Sequence, residues 1–200
     1  MNINRVAIDI DEVLVHFVKP LAKFNNVKMP EAKKYSYVYR HMFGVSQKES
    51  ARMVESFYDS EEFDMLQPIC GSQPILRLLR PRVDKMYILT GRQNCVRDKT
   101  EEWINFHFPG IFDDVILTNS YTRFEVQKYD ICNSLNIGML IDDNDLNCAV
   151  SKKWGMDVIH FAGYDGKVYP WCEKGDHSVL NWSELYDIFP RYKYVDIEEA

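Results

Sequence analysis

The stretch VAIDIDEVLVHF, Val6 to Phe17, interrupts an apolar strand with Asp9, Asp11 and Glu12 before apolar residues resume at Val13, Leu14 and Val15. Two unit charges about 4 Å apart repel by roughly 4 kcal/mol at an effective dielectric near 20, so carboxylates gathered at a buried strand end oppose folding unless something offsets them. A cation is the natural offset. The alternative is a strand that ends at Asp9 and a polar turn facing water, which is the default reading of a lone D-x-D because so short a pattern arises easily by chance. The decision rests on what the rest of the chain brings to the same place.

The chain of 200 residues is 46% hydrophobic and 27% charged, the composition of a globular protein with one good core and room for a small added lobe. No run approaches the roughly 20 apolar residues that span a bilayer. Asp9 falls where a signal peptide would need its apolar core, so the expectation is a cytoplasmic protein without a membrane partner. Cys70, Cys95, Cys132, Cys148 and Cys172 are odd in number and never spaced C-x-x-C. They support neither a disulfide framework nor a thiolate zinc site, and most read as small buried hydrophobes. A net charge of −6 argues against coating of long nucleic acid. The local exception is VKMPEAKKYSYVYRH, Val27 to His41, where Lys28, Lys33, Lys34 and Arg40 interleave with Tyr35, Tyr37 and Tyr39. Such a stretch is either the solvated face of a local element or a surface for a phosphorylated, base-bearing ligand.

From Lys85 onward, short β-rich runs alternate with helical stretches. Strands are predicted at Met86–Arg92, Asp114–Thr118, Ile137–Asp143 and Met156–Phe161, with helices at Arg97–Phe108, near Val126–Leu135 and at Leu146–Gly155. This alternation predicts an α/β fold, a Rossmann-like parallel sheet with helices on both faces. Ligands of such sheets sit beyond the carboxyl ends of the strands. Asp9-x-Asp11, Thr90-Gly91-Arg92 and Asp142-Asp143 all fall at that edge. Residues 18–72 break the alternation; Lys48–Phe63 has helical spacing, and the segment reads as a small helical cap between core segments 1–17 and 73–200. The acidic tail beyond Phe189 is expected to fray.

In chain order, the polar strand ends are Asp9-x-Asp11, Thr90-Gly91, Lys128 and Asp142-Asp143. This set resembles the haloacid dehalogenase superfamily of phosphotransferases, whose motifs are D-x-D, a Ser or Thr, a Lys, and an acidic pair after a strand. The resemblance covers residues 4–161 and implies Mg²⁺-dependent hydrolysis of phosphate monoesters. It casts Asp9 as the nucleophile that forms an aspartyl-phosphate, and Asp11 as the acid and then base. Asp9, the Asp11 main-chain carbonyl, Asp142 and Asp143 become the Mg²⁺ ligands. Thr90 and Gly91 would bind the phosphoryl oxygens, and Lys128 would offset the charge on Asp9 and the phosphate. Each has an ordinary alternative: a helix cap for Thr90 and an exposed lysine for Lys128. Asp145 and Asn147 read as turn and cap residues, and structural roles are preferred for all five histidines.

Within the superfamily, DIDEVLVHF, LIDDNDLN and NWSELYDIF resemble the 5′(3′)-deoxyribonucleotidases. That resemblance implies a nucleoside monophosphate substrate, with Phe17 stacked on the base and Phe63 a second, looser match that core packing would explain equally well. Glu12 stands where that family has Gly, His16 where it has Asp, and T-G-R replaces T-S-P. The T-G-R form is closer to other branches, including polynucleotide 3′-phosphatases that take a DNA or RNA end, and Arg92 becomes either a substrate contact or the partner of a neighbouring acid. A non-catalytic phosphate-binding protein is the third reading.

Overall fold

In the computed structural model, residues 2–189 are described. The acidic tail lies outside them. The strands are β1 (Asn2–Ile8), β2 (Lys85–Thr90), β3 (Asp114–Leu117), β4 (Ile137–Asp142), β5 (Asp157–Phe161), β6 (Gly163–Tyr164), β7 (Lys167–Val168) and β8 (Ser178–Val179). Six of them form a parallel sheet in the order β3-β2-β1-β4-β5-β8, and β6 and β7 make a separate antiparallel hairpin. The sheet is buried on both faces. Val6, Ile8, Met86, Ile88, Met139 and Ile141 belong to one cluster, while Ala7, Leu89, Leu140 and Val158 belong to another. Two covered faces explain why the strands read as continuous apolar runs rather than alternating ones.

The helices are α1 (Val18–Phe24), α2 (Tyr39–Phe43), α3 (Gln47–Tyr58), α4 (Glu61–Asp64), α5 (Ser72–Leu79), α6 (Arg97–His107), α7 (Lys128–Ser134), α8 (Asp145–Lys153) and α9 (Trp182–Ile188). Leu76 and Leu79 of α5, Ile104 of α6 and Trp182 and Leu185 of α9 fill the first cluster. Cys132 of α7 and Cys148 of α8 fill the second. With Cys172, these two are buried, whereas Cys70 and Cys95 are exposed. No helix among the described residues is long and apolar enough to cross a membrane.

Most element ends shift by a residue or two from the sequence expectation, and two of the differences have a visible cause. The helical stretch Lys48–Phe63 is two helices, because the chain leaves helical geometry at Ser60, whose hydroxyl then caps α4 by accepting from the Phe63 amide at 3.2 Å. Helix α7 starts at Lys128 and not Val126, because the Val126 amide still donates to the Thr118 carbonyl at 2.9 Å.

The chain winds outward one way through β1, β2 and β3 and the other way through β4, β5 and β8, so the order reverses between β1 and β4. A crevice opens at such a reversal because the connections leave in opposite directions. Asp9 follows β1 and Asp142 ends β4, one on each side of it.

Candidate active site

The Asp9 amide donates to the Ile141 carbonyl at 2.9 Å, carrying the β1–β4 pairing one residue past the strand and fixing the Asp9 backbone. Lys128, the first residue of α7, reaches the same crevice. It is 6% exposed, so it is no ordinary surface lysine. Its Nζ lies 2.8 Å from Asp9 Oδ1 and 2.7 Å from Asp142 Oδ2. Burial alone would lower the Lys128 ammonium, but Asp142 and then Asp9 outweigh it and hold the group above its ordinary value. Burial pushes the Asp9 carboxyl up, Lys128 pulls it back, and Asp142 and Asp11 push it up again, leaving it at about 7.

The two late aspartates differ. Both Asp142 oxygens are engaged: Oδ2 by Lys128, and Oδ1 by the Asn144 amide at 2.9 Å and Asn147 Nδ2 at 3.2 Å. Asn144, not Asp145 or Asn147, is the residue that caps α8, accepting from the Leu146 and Asn147 amides. Asp143 Oδ2 accepts from Trp171 Nε1 at 2.9 Å, whereas Asp143 Oδ1 is buried with no hydrogen-bond partner among the described residues. Burial, then the charges of Asp142, Asp9 and Glu12, push the Asp143 carboxyl well above the usual carboxylate range, against the Trp171 N–H. Carboxylate oxygens of Asp9, Asp142 and Asp143 lie within 4.8 Å of one another. An orphaned oxygen converging with hard, negatively charged neighbours is a donor set that fits Mg²⁺.

The Asp143 main chain is also held from behind. His160 Nε2 lies 3.2 Å and Cys172 Sγ 3.0 Å from its carbonyl oxygen, and His160 Nε2 lies 3.1 Å from Asp145 Oδ1. Trp171, His160 and Cys172 were not legible as site residues because they come from later strands and loops, with no motif spacing to the acidic pair.

Asp11 is half-buried and paired with Arg92, whose Nη2 donates to Asp11 Oδ1 at 2.7 Å. Glu12 has φ 63, in the region that favours glycine. Its carboxylate folds back so that Oε1 accepts from the Phe17 and Val18 amides at 2.8 and 2.7 Å, satisfying donors at the start of α1. Thr90 is fully buried, and its hydroxyl accepts from the Arg92 amide at 3.3 Å. At Gly91 a Cβ would come within 3.2 Å of Ser120 Oγ. Ser120 is therefore a further hydroxyl beside the Gly91 backbone.

A cavity of about 310 Å³ opens over these groups, lined at its floor by Asp9, Asp11, Gly91, Arg92, Ser120, Lys128 and Asp143. Its roof includes Gln47, Ser50, Ala51, Val54 and Tyr58 of α3, spaced as one face of a helix. Tyr37 and Tyr39 complete an aromatic wall. Phe17 borders the cavity but is 1% exposed, with Tyr39 stacked on it at 6.2 Å between centroids. Phe63 is 4% exposed and absent from the cavity lining; it packs edge-on against Phe17, Phe57 and Tyr58. Of the two aromatics read from the sequence, the structure places one behind a tyrosine and the other in the core.

No family model matches the sequence, and a search of curated proteins finds no match. Solved structures do match. A haloacid dehalogenase-like family hydrolase from Streptococcus pneumoniae has a TM-score of 0.64 at 15% identity, over 92% of this chain and 97% of that one. A "predicted phosphoglycolate phosphatase" from Haemophilus somnus has a TM-score of 0.62 at 13% identity, over 93% and 97%. L-2-haloacid dehalogenase from Xanthobacter autotrophicus has a TM-score of 0.61 at 16% identity, over 94% and 99%. The chain has the haloacid dehalogenase-like fold. Because these neighbours include a dehalogenase and a phosphatase, the reaction has to be read from the site.

Proposed function

We propose that the protein is a Mg²⁺-dependent phosphomonoesterase that works through an aspartyl-phosphate on Asp9 and acts on nucleoside monophosphates. The observation that carries this reading is the Asp9–Lys128–Asp142 ion-pair chain beside the unpartnered Asp143 Oδ1, at the floor of an aromatic-walled cavity. Asp9 and Asp143 would hold Mg²⁺ directly, and the ion supplies the positive charge that lets the dianionic phosphate approach clustered carboxylates. Asp142, with both oxygens engaged, positions Lys128 instead.

In the first step an Asp9 oxygen attacks phosphorus while the bond to the leaving oxygen breaks, and that oxygen takes a proton from Asp11. In the second, Asp11 as carboxylate takes a proton from water as the water oxygen attacks phosphorus. The Asp9–phosphorus bond breaks and the Asp9 carboxylate returns. Lys128 stays protonated throughout and balances the charge passing between Asp9 and phosphate. The Gly91 amide and the Ser120 hydroxyl, on the cavity floor, are the candidate donors to the phosphoryl oxygens, whereas the Thr90 hydroxyl is fully buried outside the cavity lining.

The aromatic wall supports a base-bearing substrate. Tyr39 covers Phe17, so Tyr37 and Tyr39 are the rings that would meet the base, with Phe17 as backing. The polynucleotide-end reading has less support. Among the described residues, the cavity cations are Arg92 and Lys128, both ion-paired, and the walls carry Glu55 and Glu125, an arrangement poor for further backbone phosphates.

The test is a phosphate-release screen over nucleoside monophosphates, sugar phosphates and a 3′-phosphorylated oligonucleotide, with and without Mg²⁺. Metal-dependent release that is fastest from nucleoside monophosphates is the expected result. A preference for the oligonucleotide that collapses in high salt would favour the end-healing reading, and no release from any ester would remove the phosphatase reading.

A further inference from the structure

We propose that Arg92 is the positioning residue for Asp11, fixing its carboxyl group where it can protonate the leaving oxygen; this role rests on the phosphomonoesterase reading. Arg92 is 2% exposed. Its guanidinium grips Asp11 on both oxygens: Nη2 donates to Oδ1 at 2.7 Å, and Nε lies 3.3 Å from Oδ1 and 3.2 Å from Oδ2. Nη1 donates to Thr100 Oγ1 at 3.2 Å, and that hydroxyl donates in turn to the Val96 carbonyl at 2.8 Å. The Arg92 Cζ sits 4.9 Å from the Phe63 ring centroid and 5.9 Å from that of Phe17.

These contacts place Arg92 beneath Asp11 as a fixed fork. All three guanidinium nitrogens have protein partners, so of the two roles left open by the sequence, substrate contact or partner of a neighbouring acid, the geometry favours the second. Arg92 cannot supply the proton itself, because a guanidinium stays protonated in proteins. What it can supply is direction: the fork holds Oδ1 through its short Nη2 contact and leaves Oδ2, which meets only Nε at 3.2 Å, to carry the proton for the leaving oxygen. Proton transfer requires the acid within about 2.6–3.2 Å of the leaving oxygen, and a half-buried aspartate without a fork would spread over several rotamers. The two phenylalanines and Thr100 hold the fork in turn, which gives Phe63 a role that core packing alone does not.

A positioning role predicts dependence on the leaving group. A nucleoside 5′-monophosphate, serving as the alkyl ester, needs its leaving oxygen protonated, whereas 2,4-dinitrophenyl phosphate expels a stable anion. The parameter to measure is kcat/KM, which reports steps only through the first P–O cleavage and is blind to the later attack of water. In Arg92→Gln, kcat/KM for the alkyl ester should fall about 100-fold or more, the scale of general acid catalysis, while the dinitrophenyl ester loses less than about 5-fold. Arg92→Lys keeps charge but not the fork and should resemble Arg92→Gln on the alkyl ester. Thr100→Val, which removes only the support of Nη1, should show a smaller loss with the same order of esters and carries the comparison if Arg92→Gln does not fold. Equal losses on the two esters in an enzyme whose wild type hydrolyses both would overturn the positioning role alone. Failure of the wild type to hydrolyse either ester with Mg²⁺ would overturn the phosphomonoesterase reading and this role with it.

Discussion

Lys128 Nζ lies 2.8 Å from Asp9 Oδ1 in a crevice where both side chains are less than a tenth exposed. A buried charge pair adds little net stability relative to apolar residues, but breaking one leaves an uncompensated charge. Lys128→Met is therefore predicted to abolish turnover and to cost about 3–5 kcal/mol in the metal-free protein. Urea unfolding in EDTA measures the second effect, and unchanged stability would mean that the ammonium is not what holds Asp9 and Asp142 together.

The pH dependence has a defined sign. Folding raises the Asp9 carboxyl from 3.8 to about 7 and moves Asp143 the same way. The folded state then binds more protons than the unfolded one between those values, so these groups contribute a stability that is present at low pH and lost as pH rises through about 7. The Tm of metal-free protein should fall from about pH 5 to pH 8, and saturating Mg²⁺ should flatten the fall. A metal-free Tm that rises over this window would contradict the proposed burial of unneutralised carboxylates.

Glu12 offers a separate test of local structure. Its carboxylate accepts two amides at the start of α1, and charge-assisted bonds are worth about 1.5–3 kcal/mol. Glu12→Gln should lose a large part of that in denaturant unfolding while keeping the backbone shape. Wild-type stability in this variant would show that the carboxylate charge is not what secures the turn.

Tyr39 and Phe17 should separate binding from folding. Tyr39→Ala is predicted to weaken nucleotide binding by about 1–3 kcal/mol, the range for base–aromatic stacking, with little effect on glycerol phosphate. Phe17→Ala removes a buried ring and should lower stability by about 3–5 kcal/mol. A KM effect confined to Phe17→Ala would restore Phe17 as the stacking ring.

The sheet was legible because both faces of β1, β2 and β4 are covered, which forces unbroken apolar runs, and because polar residues end those runs at one edge. Asp9, Asp142 and Asp143 were legible for the same reason, whereas Lys128, the first residue of α7, was joined to them only by the family resemblance. Local sequence could not separate Asp142 from Asp143. That difference comes from Lys128 and Trp171, brought in by distant elements. Nor could it show that Tyr39 would cover Phe17, which depends on how the segment after α1 folds back over the cavity. Glu12, grouped by the sequence with the carboxylates at the strand end, keeps the backbone in the left-handed region while its side chain accepts the amides at the start of α1.

The role of Asp9 as carrier of the phosphoryl group in a Mg²⁺-dependent reaction is measured most directly by comparing wild type with Asp9→Asn. A nucleoside monophosphate is supplied with Mg²⁺ and with EDTA, and phosphate release is followed beside the Tm of each metal-free protein. The amide is nearly isosteric but a poor nucleophile, and it removes a charge that the fold disfavours. The predicted result is release by wild type with Mg²⁺ only, none by Asp9→Asn, and a Tm for Asp9→Asn equal to or above that of wild type. Near-normal release by a folded Asp9→Asn protein, or full wild-type activity after exhaustive chelation, would contradict it.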